Sequence, residues 1–122
     1  MPMKIQWEAQ EQEAIFQWIS YNTTKYPELQ LLFHIPNGGY RNKSEAINLK
    51  RQGVKAGVPD LFLPVARNKY HGLFIELKAQ ENKATQKQND WIAHLRTQSY
   101  AAEVCHGWRS AVECLCRYLD LQ

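Results

Sequence analysis

An α/β domain, with a mixed sheet covered by helices, is the fold class this sequence predicts, and three observations carry the prediction. Helix-period and strand-like segments alternate along the chain, the order from which layered α/β folds are built. The 122 residues are 44% hydrophobic and include four tryptophans, enough for one real core and too few for two. No repeat, low-complexity tract or linker divides them, so residues 1–122 are read as a single domain.

The elements follow in order. From about Gln6 to Tyr21, Trp7, Ala14, Ile15, Trp18 and Ile19 share one face at helical spacing. "LQLLFHIP" is a short apolar run, read as a strand ended by Pro36, and "NGGYRN" is turn chemistry. "SEAINLKRQG" reads as a short helix with Ser44 as its cap and Gly53 as its stop. "DLFLPV" and "GLFIELKA" are strand-like and joined by the polar turn "ARNKYHG". "ATQKQNDWIAHLRTQ" is a helix with Trp91, Ile92 and Leu95 turned inward, and Trp91 is most simply core. "YAAEVCHG" is a further strand, and "RSAVECLCRYLDL" a final helix through Val112, Leu115, Cys116 and Leu119.

Composition narrows the function classes. Cys105, Cys114 and Cys116 are odd in number and form no CxxC pair, which argues against a disulfide framework and for reduced thiols in an intracellular protein. "MPMKIQWEAQ" has no apolar signal core and no run reaches membrane length, so a cytoplasmic location is expected, that of the host for a phage-encoded chain. A formal charge of +3 permits a nucleic-acid partner without demanding one. Between Tyr40 and Gly57, however, Arg41, Lys43, Lys50, Arg51 and Lys55 face a single acid, Glu45. That run is either a solvated helix face or a phosphate-binding one.

The chemistry-bearing residues sit in the two central strands. Residues two apart in a strand share a face, so Glu76 and Lys78 lie side by side while Ile75 and Leu77 pack behind them under a helix. Asp60 opens the preceding strand after Pro59, and a hairpin between the strands brings it to Glu76. Two carboxylates so placed repel unless a cation lies between them. A hard divalent ion fills that role, and Lys78 then reaches an attacking water or a phosphate oxygen. Alone, an ExK pair is often a surface ion pair and a PD dipeptide a strand entry; together, at this spacing, they carry more.

"IPNGG", "GVPD", "GLFIELKA", "QNDW" and "CHGW" together resemble the virus-type replication-repair nuclease domain, VRR-NUC, of the PD-(D/E)XK nucleases. The resemblance implies a restriction-endonuclease-like core and a DNA endonuclease dependent on Mg²⁺ or Mn²⁺. It also implies a stand-alone phage or bacterial form, similar to the homodimeric resolvases of branched DNA (Holliday junctions). It assigns metal binding to Asp60 and Glu76 and the positioning of a water to Lys78. A first-helix glutamate usually completes such sites, and Glu8, four before Gln12 on one face, fits best. Glu11 is more simply a solvated helix residue, and Glu13 points away.

Gln88 has two readings. As a match to the family's glutamine three before Trp91 it is a candidate catalytic residue holding Lys78 or the phosphate, and it also completes a capping box with Thr85. Asn37-Gly38-Gly39 is either a tight turn or a close backbone approach to a phosphate. The resemblance favours DNA contact by Arg41, Lys43, Lys50 and Arg51, with Asn37 at the site. The four histidines show no ligand spacing and are read as packing or surface residues. Two other readings stay open: a non-cleaving DNA-binding module of the same fold, and a hydrolase of the superfamily acting on other DNA or on RNA.

Overall fold

The computed structural model describes residues 3–36 and 42–122. Four strands form one mixed sheet: β1 (Phe33–His34), β2 (Leu61–Leu63), β3 (Leu73–Lys78) and β4 (Ala101–His106), adjacent in that order. The β1–β2 and β2–β3 pairs are antiparallel, with Phe33 opposite Phe62 and Leu61 opposite Ile75. The β3–β4 pair is parallel, with Glu76 opposite Val104 and Lys78 opposite His106. A parallel pair needs a crossover, and α3 (Gln86–Thr97) supplies it.

Alternation along the strands sorts the two faces. Leu61, Leu63, Leu73, Ile75 and Leu77 point to one side, where α1 (Met3–Ser20) and α4 (Trp108–Leu119) cover them. Ile15 and Ile19 from α1, and Ala111, Leu115, Tyr118 and Leu119 from α4, complete this core. Each such aliphatic side chain, fully buried, contributes about 1.5–3 kcal/mol relative to exposure. The other face carries Phe62, Phe74, Glu76 and Lys78 and is only partly covered by α3, which packs on β4 through the buried Ile92. The Arg96 guanidinium fastens that contact with two bonds to the Ala102 carbonyl, at 3.1 and 2.6 Å. The polar site therefore lies on the half-open face and the core lies behind it.

Three readings of the sequence need correction. The run "LQLLFHIP" is not one strand: Pro27–Leu31 form a 3-10 turn that buries Leu29, and only Phe33–His34 pair with β2. The cap of α2 (Lys43–Arg51) is Asn42, not Ser44; its side chain accepts from the Glu45 N–H at 2.8 Å. Asparagine caps as well as serine does, and its position two residues earlier captures one of the first orphan donors. Trp91 is half-buried and stands outside the core cluster, because it faces α2 rather than the sheet. Gly53, at φ +100°, does end α2 as expected, in a conformation that disfavours any Cβ.

Candidate active site

Pro59 is fully buried and fixes the entry to β2, so Asp60 emerges from a rigid point. Its backbone carbonyl accepts from the Ile35 N–H at 2.7 Å and lies 2.9 Å from Nδ1 of His34. Its side chain crosses to the next strand, where Oδ2 accepts from the Leu77 N–H at 2.9 Å. The antiparallel register thus does what the hairpin reading expected, and sets Asp60 beside Glu76.

Glu76 is only 3% exposed, the one charged side chain buried among the described residues. Oε2 accepts from Gln88 Nε2 at 3.0 Å and lies 3.6 Å from Lys78 Nζ. Oε1 is buried without a hydrogen-bond partner. Burial pushes the Glu76 carboxyl up to about 8, and the Asp60 charge adds to the rise while Lys78 opposes it. Burial also raises Asp60, against the Leu77 N–H and the charges of His34 and Lys78. In this environment the pair favours one shared proton over two negative charges.

Gln88 completes the capping box, and its side chain reaches Glu76 rather than Lys78. Its Oε1 accepts from the Thr85 N–H at 2.8 Å while the Thr85 hydroxyl accepts from the Gln88 N–H at 3.2 Å, a complete capping box. The free amide nitrogen is then aimed at Glu76. A cap at the start of α3 therefore fixes the rotamer of a residue that holds the buried carboxylate.

The first helix divides its acids by role. Glu11 is not a solvated residue: its Oε1 accepts from the Trp108 N–H at 3.0 Å and so caps the start of α4. Glu8 is half-buried, and its Oε2 is buried without a partner. Glu13 is exposed. Among the described residues, no three His, Cys, Asp or Glu side chains close around a common point. Asp60 and Glu76 are the acids brought together, with Lys78 and Gln88 beside them.

Lys43, Lys50 and Arg51 lie exposed on α2, a helix that buries none of its residues. Asn37 and Arg41 lie outside the described residues. His34, close to the site in sequence and read as a packing or surface residue, is a neighbour of Asp60. Its signal was the strand register, which sets it opposite Leu61 and next to Asp60.

A half-open mixed sheet carrying Asp60 and the Glu-x-Lys pair on adjacent strands, backed by α1 and α4, defines a restriction-endonuclease-like α/β core. The model of the VRR-NUC domain matches residues 6–109. A solved structure of a VRR-NUC domain protein is 32% identical, with 94% of this chain and 89% of that one covered, at a TM-score of 0.81. No curated protein matches the chain. The chain belongs to the VRR-NUC domain family, a nuclease-type family. No helix among the described residues is long and apolar enough to cross a membrane.

Proposed function

We propose that this chain is a divalent-metal-dependent endonuclease that hydrolyses DNA phosphodiester bonds. The observation that carries the reading is Glu76, buried beside a second carboxylate, with an Oε1 that has no partner among the described residues and two charges that only a shared proton or a cation relieves. A buried acid in that state is short of positive charge. The donors on hand are carboxylate oxygens, the chemistry of a hard cation, so the residues fit Mg²⁺ or Mn²⁺. Asp60 and Glu76 would hold the ion, with Glu8, whose Oε2 also lacks a partner, as the first-helix candidate. Such an ion, when bound, polarises a phosphoryl oxygen and makes a water nucleophilic near neutral pH.

The chain's own residues supply the rest. Lys78, 12% exposed and 3.6 Å from Glu76 Oε2, reaches the solvent side of the site and orients a water or steadies a phosphate oxygen. Gln88 keeps Glu76 in place. Lys43, Lys50 and Arg51, with Arg41 and Asn37 as further candidates from the sequence, draw in the DNA backbone in a salt-dependent manner. The finer features of the proposal are a preference for branched DNA, a two-fold dimer presenting two sites, and action in the cytoplasm.

The test is cleavage of labelled four-way junction, flap, linear duplex and RNA with Mg²⁺, Mn²⁺ or EDTA. Cutting of DNA that needs the metal and disappears in Asp60→Asn and Lys78→Ala supports the proposal. Binding of DNA without cutting of any substrate would reduce the protein to a binding module. Preferential cutting of RNA would reassign its substrate.

A further inference from the structure

A groove of about 880 Å³ runs between α2 and α3. Leu49, Val54 and Trp91 give it an apolar lining, and Lys50, Lys55 and Lys87, all exposed, share that lining. Asp90 is the single acid among the described residues that line it, and its Oδ1 accepts from Gln86 Nε2 at 2.8 Å. Such a volume suits a ligand of small-molecule size, on the scale of about 300–1,000 Å³.

Two chain segments link the groove to the candidate active site. Gly57, at φ +94°, packs against two lining residues: a Cβ there would come within 2.9 Å of both Trp91 Cδ1 and the Lys87 carbonyl oxygen. That close approach, possible only for glycine, holds one edge of the indole against the segment leading into Asp60. In the second segment Lys87 directly precedes Gln88, which holds Glu76. A ligand in the groove therefore sits beside the chain segments that position both acids.

Lysines around an indole select something both aromatic and anionic. A nucleotide is both, with a base to lie on the ring and phosphates to meet the cations. Paired DNA keeps its base faces inside the stack, so only an unpaired nucleotide can offer the two together. We propose that the groove between α2 and α3 accepts an unpaired nucleotide of the DNA strand to be cut, its base against Trp91 and its phosphates on Lys50, Lys55 and Lys87. This deepens the nuclease reading and rests on it for the identity of the strand. It makes the substrate a DNA with single-stranded character next to the scissile bond.

The test is fluorescence anisotropy in EDTA, where nothing is cut, with three labelled probes of about ten nucleotides. They are an oligothymidylate, an abasic oligonucleotide of equal length, and a blunt duplex. The wild-type protein should bind oligothymidylate more tightly than the abasic strand. Trp91→Ala should weaken oligothymidylate at least about fivefold, the loss of one base–aromatic stack, and leave the other two probes within about twofold. Trp91→Phe, which keeps an aromatic face, should restore most of the difference and serves as the folding control. Equal affinity of the wild type for oligothymidylate and the abasic strand overturns the inference, because the bases are then not read. Equal weakening of all three probes by Trp91→Ala overturns it too, as does displacement of oligothymidylate by an acidic, aromatic-containing peptide at lower concentration than unlabelled oligothymidylate. The expected pattern in a protein that cuts no substrate keeps the groove and removes the nuclease reading. Metal-dependent cutting without the pattern does the reverse.

Discussion

Replacing Glu76 by glutamine should make the metal-free protein more stable at pH 8, and the structure sets both the sign and the size. Glu76 rises from an ordinary 4.5 to about 8, chiefly through burial and then through Asp60. A folded-state value above the unfolded one means that between about pH 4.5 and 8 the native state holds a proton the unfolded chain has released. This contribution to stability is complete below about 4.5 and is lost as pH climbs through about 8. At about 1.36 kcal/mol per tenfold change in proton affinity, the full difference is on the order of 5 kcal/mol. Water entry and relaxation around the half-open face leave a measurable part of about 2–3 kcal/mol, or about 10 °C in Tm for a chain of this length. The assay is thermal unfolding in EDTA from pH 5 to 8, followed by titration with Mg²⁺ or Mn²⁺ at pH 8. Wild type should lose stability across the range and regain it with the ion. Glu76→Gln should lose less, start higher at pH 8 and gain little from the ion. Wild-type stability that is flat or rises from pH 5 to 8, with Glu76→Gln no more stable, would refute the account of a buried, charge-deficient carboxylate.

The remaining predictions concern the supports of the site. Gln88→Ala removes a capping box and the bond to Glu76, so chemical denaturation should show a loss of about 1–2 kcal/mol, and the fall of stability with rising pH should extend to higher pH because Glu76 is harder to ionise. Glu11→Ala uncaps α4 and should cost about 1 kcal/mol in the same measurement, while stabilisation by the divalent ion persists. Ile75→Ala opens a cavity directly behind Glu76 and should cost about 2–5 kcal/mol in urea unfolding. Arg51→Ala should lower the salt dependence of DNA binding by about one phosphate contact without changing the preferred DNA structure, measured as the slope of log affinity against log salt.

The nature and order of the elements were legible in the residues, because period, caps and breakers act locally. Ile75 and Leu77 had to face away from Glu76 and Lys78 once the segment was a strand, and they do. Gly53 had to end a helix, and it does so at positive φ. The identity of the paired acids was equally open to reading, since only strand alternation and a hairpin were needed to join Asp60 to Glu76. What the residues left open was settled by contacts between elements distant in the chain. Whether Gln88 capped a helix or held the site could not be decided locally, because a planar amide has two ends and only the packing of α3 on the sheet brings the second end to Glu76. Glu11 looked like any exposed helix acid until α4 arrived with unsatisfied N–H groups. Trp91 had an apolar side chain at an inward helical position, yet the close approach of Gly57 and the placement of α2 made it the wall of a groove. Local sterics and hydrophobic period choose the elements. Only their juxtaposition decides which polar atoms find partners, and here it left Glu76 Oε1 and Glu8 Oε2 buried without one.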